Sequence, residues 1–209
     1  DLPRTNSLHG RPSLVCVESL GRAADPMDGL GDFLDSLPDI YAGRDFRHLA
    51  LRWAECAIGG QQIGLAYGAH VIKVGVQAHI LDLMERDALH FLCTHGAGAI
   101  HDIELALAGQ TSEDVAAALD SGRFGMTSEP VEVWENTLER TRAENLGLGE
   151  ALGMEIIEGD FPYRDTSVLA RAVEMEKPVC VLVAMGTDTI HVHPNIDAGA
   201  LGESSMRDF

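Results

Sequence analysis

Between positions 66 and 109, apolar residues fall into two short runs separated by a segment of helical spacing. The first run is Ile63-Gly64-Leu65-Ala66-Tyr67-Gly68; the second, Leu89 to Cys93, is too brief for a helix. Between them Val76, Ile80, Leu83 and Met84 recur at helical intervals. After the second run come Thr94-His95-Gly96-Ala97-Gly98-Ala99-Ile100-His101-Asp102, then Ile103, Leu105 and Leu107 in a further helical pattern that stops at Gly109. The order predicts a βαβ unit with small residues at both strand ends.

The flanking pattern extends this alternation. Residues 11–18 carry a β-branched run after Pro12, which predicts a strand, and residues 45–59 place Leu49, Trp53, Cys56 and Ala57 at helical spacing before Gly59-Gly60. Thr111-Ser112-Glu113-Asp114 has the form of a capping box, so a helix is expected to about Ser121. Glu129-Pro130 opens a long helix to about Asn145; a glycine-punctuated run (Gly147, Gly149, Gly153) follows, and Thr166-Ser167 opens another helix. Residues 178–184 form a near-continuous apolar strand of the kind covered on both faces. The expectation is an α/β fold, a Rossmann-like doubly wound, mostly parallel sheet with helices on both faces, formed by residues 1–209 as a single domain incomplete at its C-terminus.

Composition narrows the class. The chain has 209 residues, is 45% hydrophobic and carries a formal net charge of −18, with 15 basic residues that form no cluster. Such a charge repels phosphate backbones, so nucleic acid is not an expected partner; a small cationic amine or a basic protein substrate is compatible. No run is long enough for a membrane helix. Cys16, Cys56, Cys93 and Cys180 lie far apart, which reads as buried free thiols in a reducing compartment, so a cytoplasmic protein is expected. The first residue is Asp1 rather than Met, which suggests processing or a fragment.

Candidate chemistry gathers at the strand ends. Gly96 and Gly98 suit a helix N-terminus that receives an anion, but a full dinucleotide fingerprint needs a third glycine where His101 stands, and a plain strand-to-helix turn explains the same pair. His95, His101, His191 and His193 with Asp102 and Asp188 form a ligand set for zinc or iron if they converge; hydrogen bonding to loops is the commoner role of such histidines. A histidine acting as general base toward a substrate amine is a third reading.

Four motifs resemble the deoxyhypusine synthase family, in particular its bacterial deoxyhypusine-synthase-like branch: Gly68-Ala69-His70-Val71-Ile72-Lys73-Val74-Gly75, His95 through Leu107, Thr111-Ser112-Glu113-Asp114-Val115, and Asp197 to Glu203. The resemblance implies a homotetramer with NAD as cofactor. It implies cofactor contacts at Gly68, Ala69, His70, His95, Gly96, Ala97, His101, Asp102 and Asp197, and polyamine binding at Glu203, with Asp188 as a further substrate contact. The implied activity is an NAD-dependent transfer of an aminobutyl-type group through an imine; the alternative is a family member without transferase activity that serves as an assembly or regulatory subunit. The sequence departs from the family at Gly68-Ala69-His70 and His101-Asp102, and the family's C-terminal third, with its imine-forming lysine, has no counterpart. Lys73 is the internal candidate for that lysine, beside the readings of an anion contact or a snorkelling side chain, because Lys177 precedes a strand; His95 and His101 complete the candidate catalytic set. For Glu203 the competing reading is a helix-start acid.

Overall fold

The computed structural model describes residues 4–209, which form two compact units, one ending at Gly59 and one running from Gly60 to Phe209. The first contains α1 (Leu30–Ser36) and α2 (Tyr41–Ile58). The strand expected at residues 11–18 does not form: Val17–Ser19 is a 3-10 turn with Val17 exposed, and among the described residues no strand of the first unit lies beside it to pair.

The second unit begins with β1 (Gly64–Ala66), followed by α3 (Ala69–Lys73) and α4 (Gln77–Glu85). Next come β2 (Phe91–Thr94), α5 (Gly96–Ala108), α6 (Val115–Leu119), α7 (Ser128–Glu144), α8 (Leu148–Glu158) and α9 (Val168–Glu174). β3 (Val179–Val181) and α10 (Ala198–Asp208) complete it. The three strands are parallel in the order β1-β2-β3, with Leu65 beside Leu92 and Cys93 beside Cys180.

This corrects the expected fold class. The unit is mostly helical around a small parallel sheet and is not a Rossmann-like doubly wound sheet. The physical reason lies in the strand order. A doubly wound sheet reverses direction at a switch point so that helices cover both faces; here β1, β2 and β3 succeed one another without reversal.

Two glycines that read as chain breakers are packing devices. A Cβ on Gly149 would lie 2.1 Å from the Val179 carbonyl oxygen, and one on Gly153 would lie 2.8 Å from that of Leu169. Both sit in α8, so the absence of side chains lets this helix press directly on the backbones of β3 and α9. Leu148, Leu152 and Ile156 from the same helix are fully buried, with Trp134, Leu138, Leu169 and Leu201 around them. The outer edge of β3 is closed by α10: Val181 N–H donates to Asp208 Oδ2 at 2.6 Å and Val183 N–H to Ser205 Oγ at 2.8 Å. No helix among the described residues is long and apolar enough to cross a membrane. The four cysteines are free; Cys16 is exposed and the others half-buried, so burial is weaker than their apolar neighbours suggest.

Candidate functional site

The strand C-termini bring together part of the predicted set. β1 ends at Tyr67-Gly68 and β2 at Thr94-His95, so Gly68, Ala69, His70, His95, Gly96 and Ala97 share one edge. His95 is the N-cap of α5, and its Nε2 lies 3.3 Å from where a Gly68 side chain would begin. Asp188 joins them from the segment after β3. Its Oδ2 lies 2.2 Å from the site of a Gly96 Cβ, and that oxygen is buried without a hydrogen-bond partner. His191 Nδ1 receives the Asp188 N–H at 3.1 Å, while its Nε2 is likewise buried and unpartnered. The His191-x-His193 segment is a 3-10 turn over Thr189–Val192 rather than a strand, and His193 Nε2 meets the Gly125 carbonyl at 2.9 Å.

NAD, implied by the resemblance, does not fit this arrangement. Its pyrophosphate belongs at a helix N-terminus, where free amides and the helix dipole favour negative charge. At α5 that place is taken by the Asp188 carboxylate, which would repel a phosphate. Asp102 is also committed: it is fully buried and accepts hydrogen bonds from Ser167 Oγ at 2.5 Å, Val168 N–H at 2.8 Å and Leu169 N–H at 3.2 Å. It therefore caps the start of α9. Burial pushes its carboxyl up to about 6, with those three donors opposing the rise. Burial, followed by the nearby Asp102 charge, raises the Tyr67 hydroxyl as well. Asp197 caps α10 through Ala200 N–H at 2.9 Å and pairs with Arg142 at 2.5 Å, contacts that together hold its carboxyl below the usual range.

The remaining predicted residues lie apart. Lys73 ends α3 and is exposed, lining a cleft of about 430 Å³ with Gln77, Tyr163, Asp165 and Thr111. Glu203 stands in the middle of α10, paired with Arg207 one turn on, and not at a helix start. Among the described residues no group of three or more histidine, cysteine, aspartate or glutamate side chains is placed to hold a metal.

His101 leads to a different place. Its Nδ1 lies 2.6 Å from Thr111 Oγ1 and 3.3 Å from Glu104 Oε2, and Thr111 Oγ1 donates to the same carboxylate oxygen. The consistent proton order runs from His101 Nδ1–H to Thr111 Oγ1, and from Thr111 O–H to Glu104. Thr111 is thus drawn into this chain and away from the capping role; Asp114 caps α6 through the Ala116 and Ala117 N–H groups. Burial pushes the Glu104 carboxyl up, but hydrogen bonds from His101, Thr111 and the Ser112 backbone outweigh it, so the net shift is downward. Glu104 is held ionised at the wall of a cleft of about 600 Å³, where Glu113 and Glu129 add two carboxylates and Leu107 and Pro130 supply apolar surface. No lysine, arginine or histidine lines it.

Sequence reading placed His101 in a site but missed Glu104, Glu113 and Glu129 as its companions. The legible signals were the three-residue spacing of His101 and Glu104 on one helix and the return of the chain at Gly109, whose φ of 67° turns it sharply back. The three glutamates come from α5, the following loop and α7, and only the tertiary fold joins them.

No family model matches this chain, and no curated protein matches it. Among solved structures it is similar to the apo crystal structure of ArgZ, an arginine dihydrolase from the ornithine-ammonia cycle in cyanobacteria, with 20% identity and a TM-score of 0.49 over 80% of this chain and 22% of that one. The chain spans about a fifth of ArgZ's length, and a likeness at this level carries neither activity nor substrate across. Fold and site together define a helical domain on a small parallel sheet with an acidic cleft between α5 and α7.

Proposed function

We propose that this chain binds a small polyamine-like amine in the Glu104–Glu113–Glu129 cleft, the substrate class that its deoxyhypusine-synthase-like motifs imply. The observation that carries the reading is the lining itself: three carboxylates, one of them held ionised by His101 and Thr111, beside apolar surface and with no lysine or arginine among the described lining residues. An alkyl ammonium has this complementarity, with charged ends for the glutamates and methylenes for Leu107 and Pro130. His101 is a positioning residue, since it acts on the cleft through Thr111 and Glu104. Group transfer through an enzyme imine needs a lysine within the amine site, and Lys73 stands exposed at the end of α3, lining a different cleft from the three glutamates. Amine binding without transfer is therefore the reading that the geometry favours.

Titration calorimetry with spermidine at low salt tests it. Glu104→Gln and Glu129→Gln should each weaken binding, by on the order of tenfold for Glu104 and by several-fold for the exposed Glu129. Equal affinity in parent and both variants defeats the proposal.

A further inference from the structure

The first unit buries no apolar side chain: among residues 4–59 only Ser19 and Ser36 are buried. Its long helix, α2, carries Ala42, Phe46, Leu49, Trp53 and Cys56 at alternating spacings of four and three, the a/d pattern of a helix that packs lengthwise on another helix. Phe46 is 53% and Leu49 61% exposed. One flank of this stripe leans on its own chain, where a Cβ on Gly43 would lie 2.7 Å from the Pro38 carbonyl oxygen. The other flank carries Asp45 and Arg52, with side chains 68% and 70% exposed, each pairing within its own helix, Asp45 with Arg44 and Arg52 with Glu55.

We infer that α2 pairs with α2 of a second copy, antiparallel about a two-fold axis. Charge complementarity selects this occupant. With Phe46 facing Leu49 of the partner subunit, Ala42 faces Trp53 of the partner subunit, so a small residue meets a large one. The same register puts Asp45 beside Arg52 of the partner subunit, and symmetry repeats each contact. A parallel pairing would set Asp45 against Ala50 and Arg52 against Ala57, with no charge matched. The rest of the surface discourages self-association, since the chain carries −18 overall, whereas α2 holds Arg44, Arg47 and Arg52 against Asp45 and Glu55, a net of +1. Self-complementary surfaces of this kind form isologous dimers. An 18-residue helix spans about 27 Å, so the interface is small and the dimer is expected to be weak and concentration-dependent.

Sedimentation velocity from about 1 to 200 µM tests the pairing by charge exchange. Asp45→Arg alone and Arg52→Asp alone each set like charges together twice and should weaken the dimer about tenfold or more. An equimolar mixture of the two variants matches every pair again and should form a heterodimer as tight as the parent, which also shows that both are folded. Should one variant fail to fold by circular dichroism, the chain carrying both substitutions replaces the mixture and should dimerise like the parent. A monomeric parent at 200 µM, a dimer indifferent to either single substitution, or no recovery in the mixture or the doubly substituted chain overturns the inference.

Discussion

Replacing Asp102 separates its charge from its shape. Its carboxylate is fully buried and accepts three hydrogen bonds at the start of α9, and burial lifts it from 3.8 to about 6. A carboxyl raised in the folded state binds its proton more tightly there than in the unfolded chain, so its contribution to stability grows as pH falls through 6 towards 4. Applying linkage to these two values, the folded state gains on the order of 1 kcal/mol from this group between pH 7 and pH 5. Other carboxylates oppose the trend: Glu104 and Asp197, whose folded values are lowered, lose stabilisation as pH falls. The measurement is therefore the difference between parent and Asp102→Asn in urea unfolding. Asparagine does not titrate, so the parent should gain about 1 kcal/mol on the variant from pH 7 to pH 5. Asp102→Ala strands two buried amides and a hydroxyl and should cost about 3–5 kcal/mol at pH 7. A parent-to-asparagine difference that stays constant with pH would refute the assignment of a raised, buried carboxyl.

Three further outcomes are expected. Gly149→Ala places a methyl against the Val179 carbonyl and should destabilise by about 1–3 kcal/mol in urea unfolding, whereas Gly202→Ala, with open space around it in α10, should stabilise by about 0.5–1 kcal/mol; equal effects would contradict the packing of α8 on β3. Asp188→Asn should bind pyrophosphate on the order of tenfold more tightly than the parent by calorimetry, because the carboxylate over Gly96 is removed; a parent that binds as tightly as the variant argues against the blocked helix end. Glu203→Gln should leave spermidine affinity within about twofold of the parent, since this side chain is engaged by Arg207 on an exposed helix face, and a larger loss would move the amine site to α10.

Local spacing made many elements of the second unit legible, though not α3, α8 or α10, and left their assembly hidden. β1, β2 and β3 each lie within a predicted apolar run, α5 stops at Gly109 as its pattern indicates, and Ser167 caps α9 through Ala170 N–H at 3.0 Å. The doubly wound sheet did not follow, because the order of strands across a sheet is a tertiary property. Glycine misled for a similar reason. In α8 the missing Cβ atoms serve close approach to β3 and α9, and this use looks the same in sequence as a break.

The candidate site shows how polar residues in a motif divide between ligand and fold. Asp102, Asp197 and Glu203 all belong to the motifs that carried the resemblance, yet one caps α9, one caps α10 and one balances Arg207. A carboxylate satisfied by several internal donors has little capacity left for a ligand, and displacing those donors would cost the helix ends they hold. Glu113 and Glu129 differ: Glu113 accepts the Gly125 N–H at 2.9 Å, and Glu129 accepts its own backbone N–H and the neighbouring Ser128 hydroxyl at 3.0 Å, local contacts on exposed side chains that hold no other element in place. Each keeps acceptor capacity facing the cleft, while Glu104, its oxygens engaged by His101, Thr111 and the Ser112 backbone, adds negative charge to the wall, which is why amine recognition is assigned to Glu113 and Glu129 in the field of Glu104 and not to the acids the motifs first suggested.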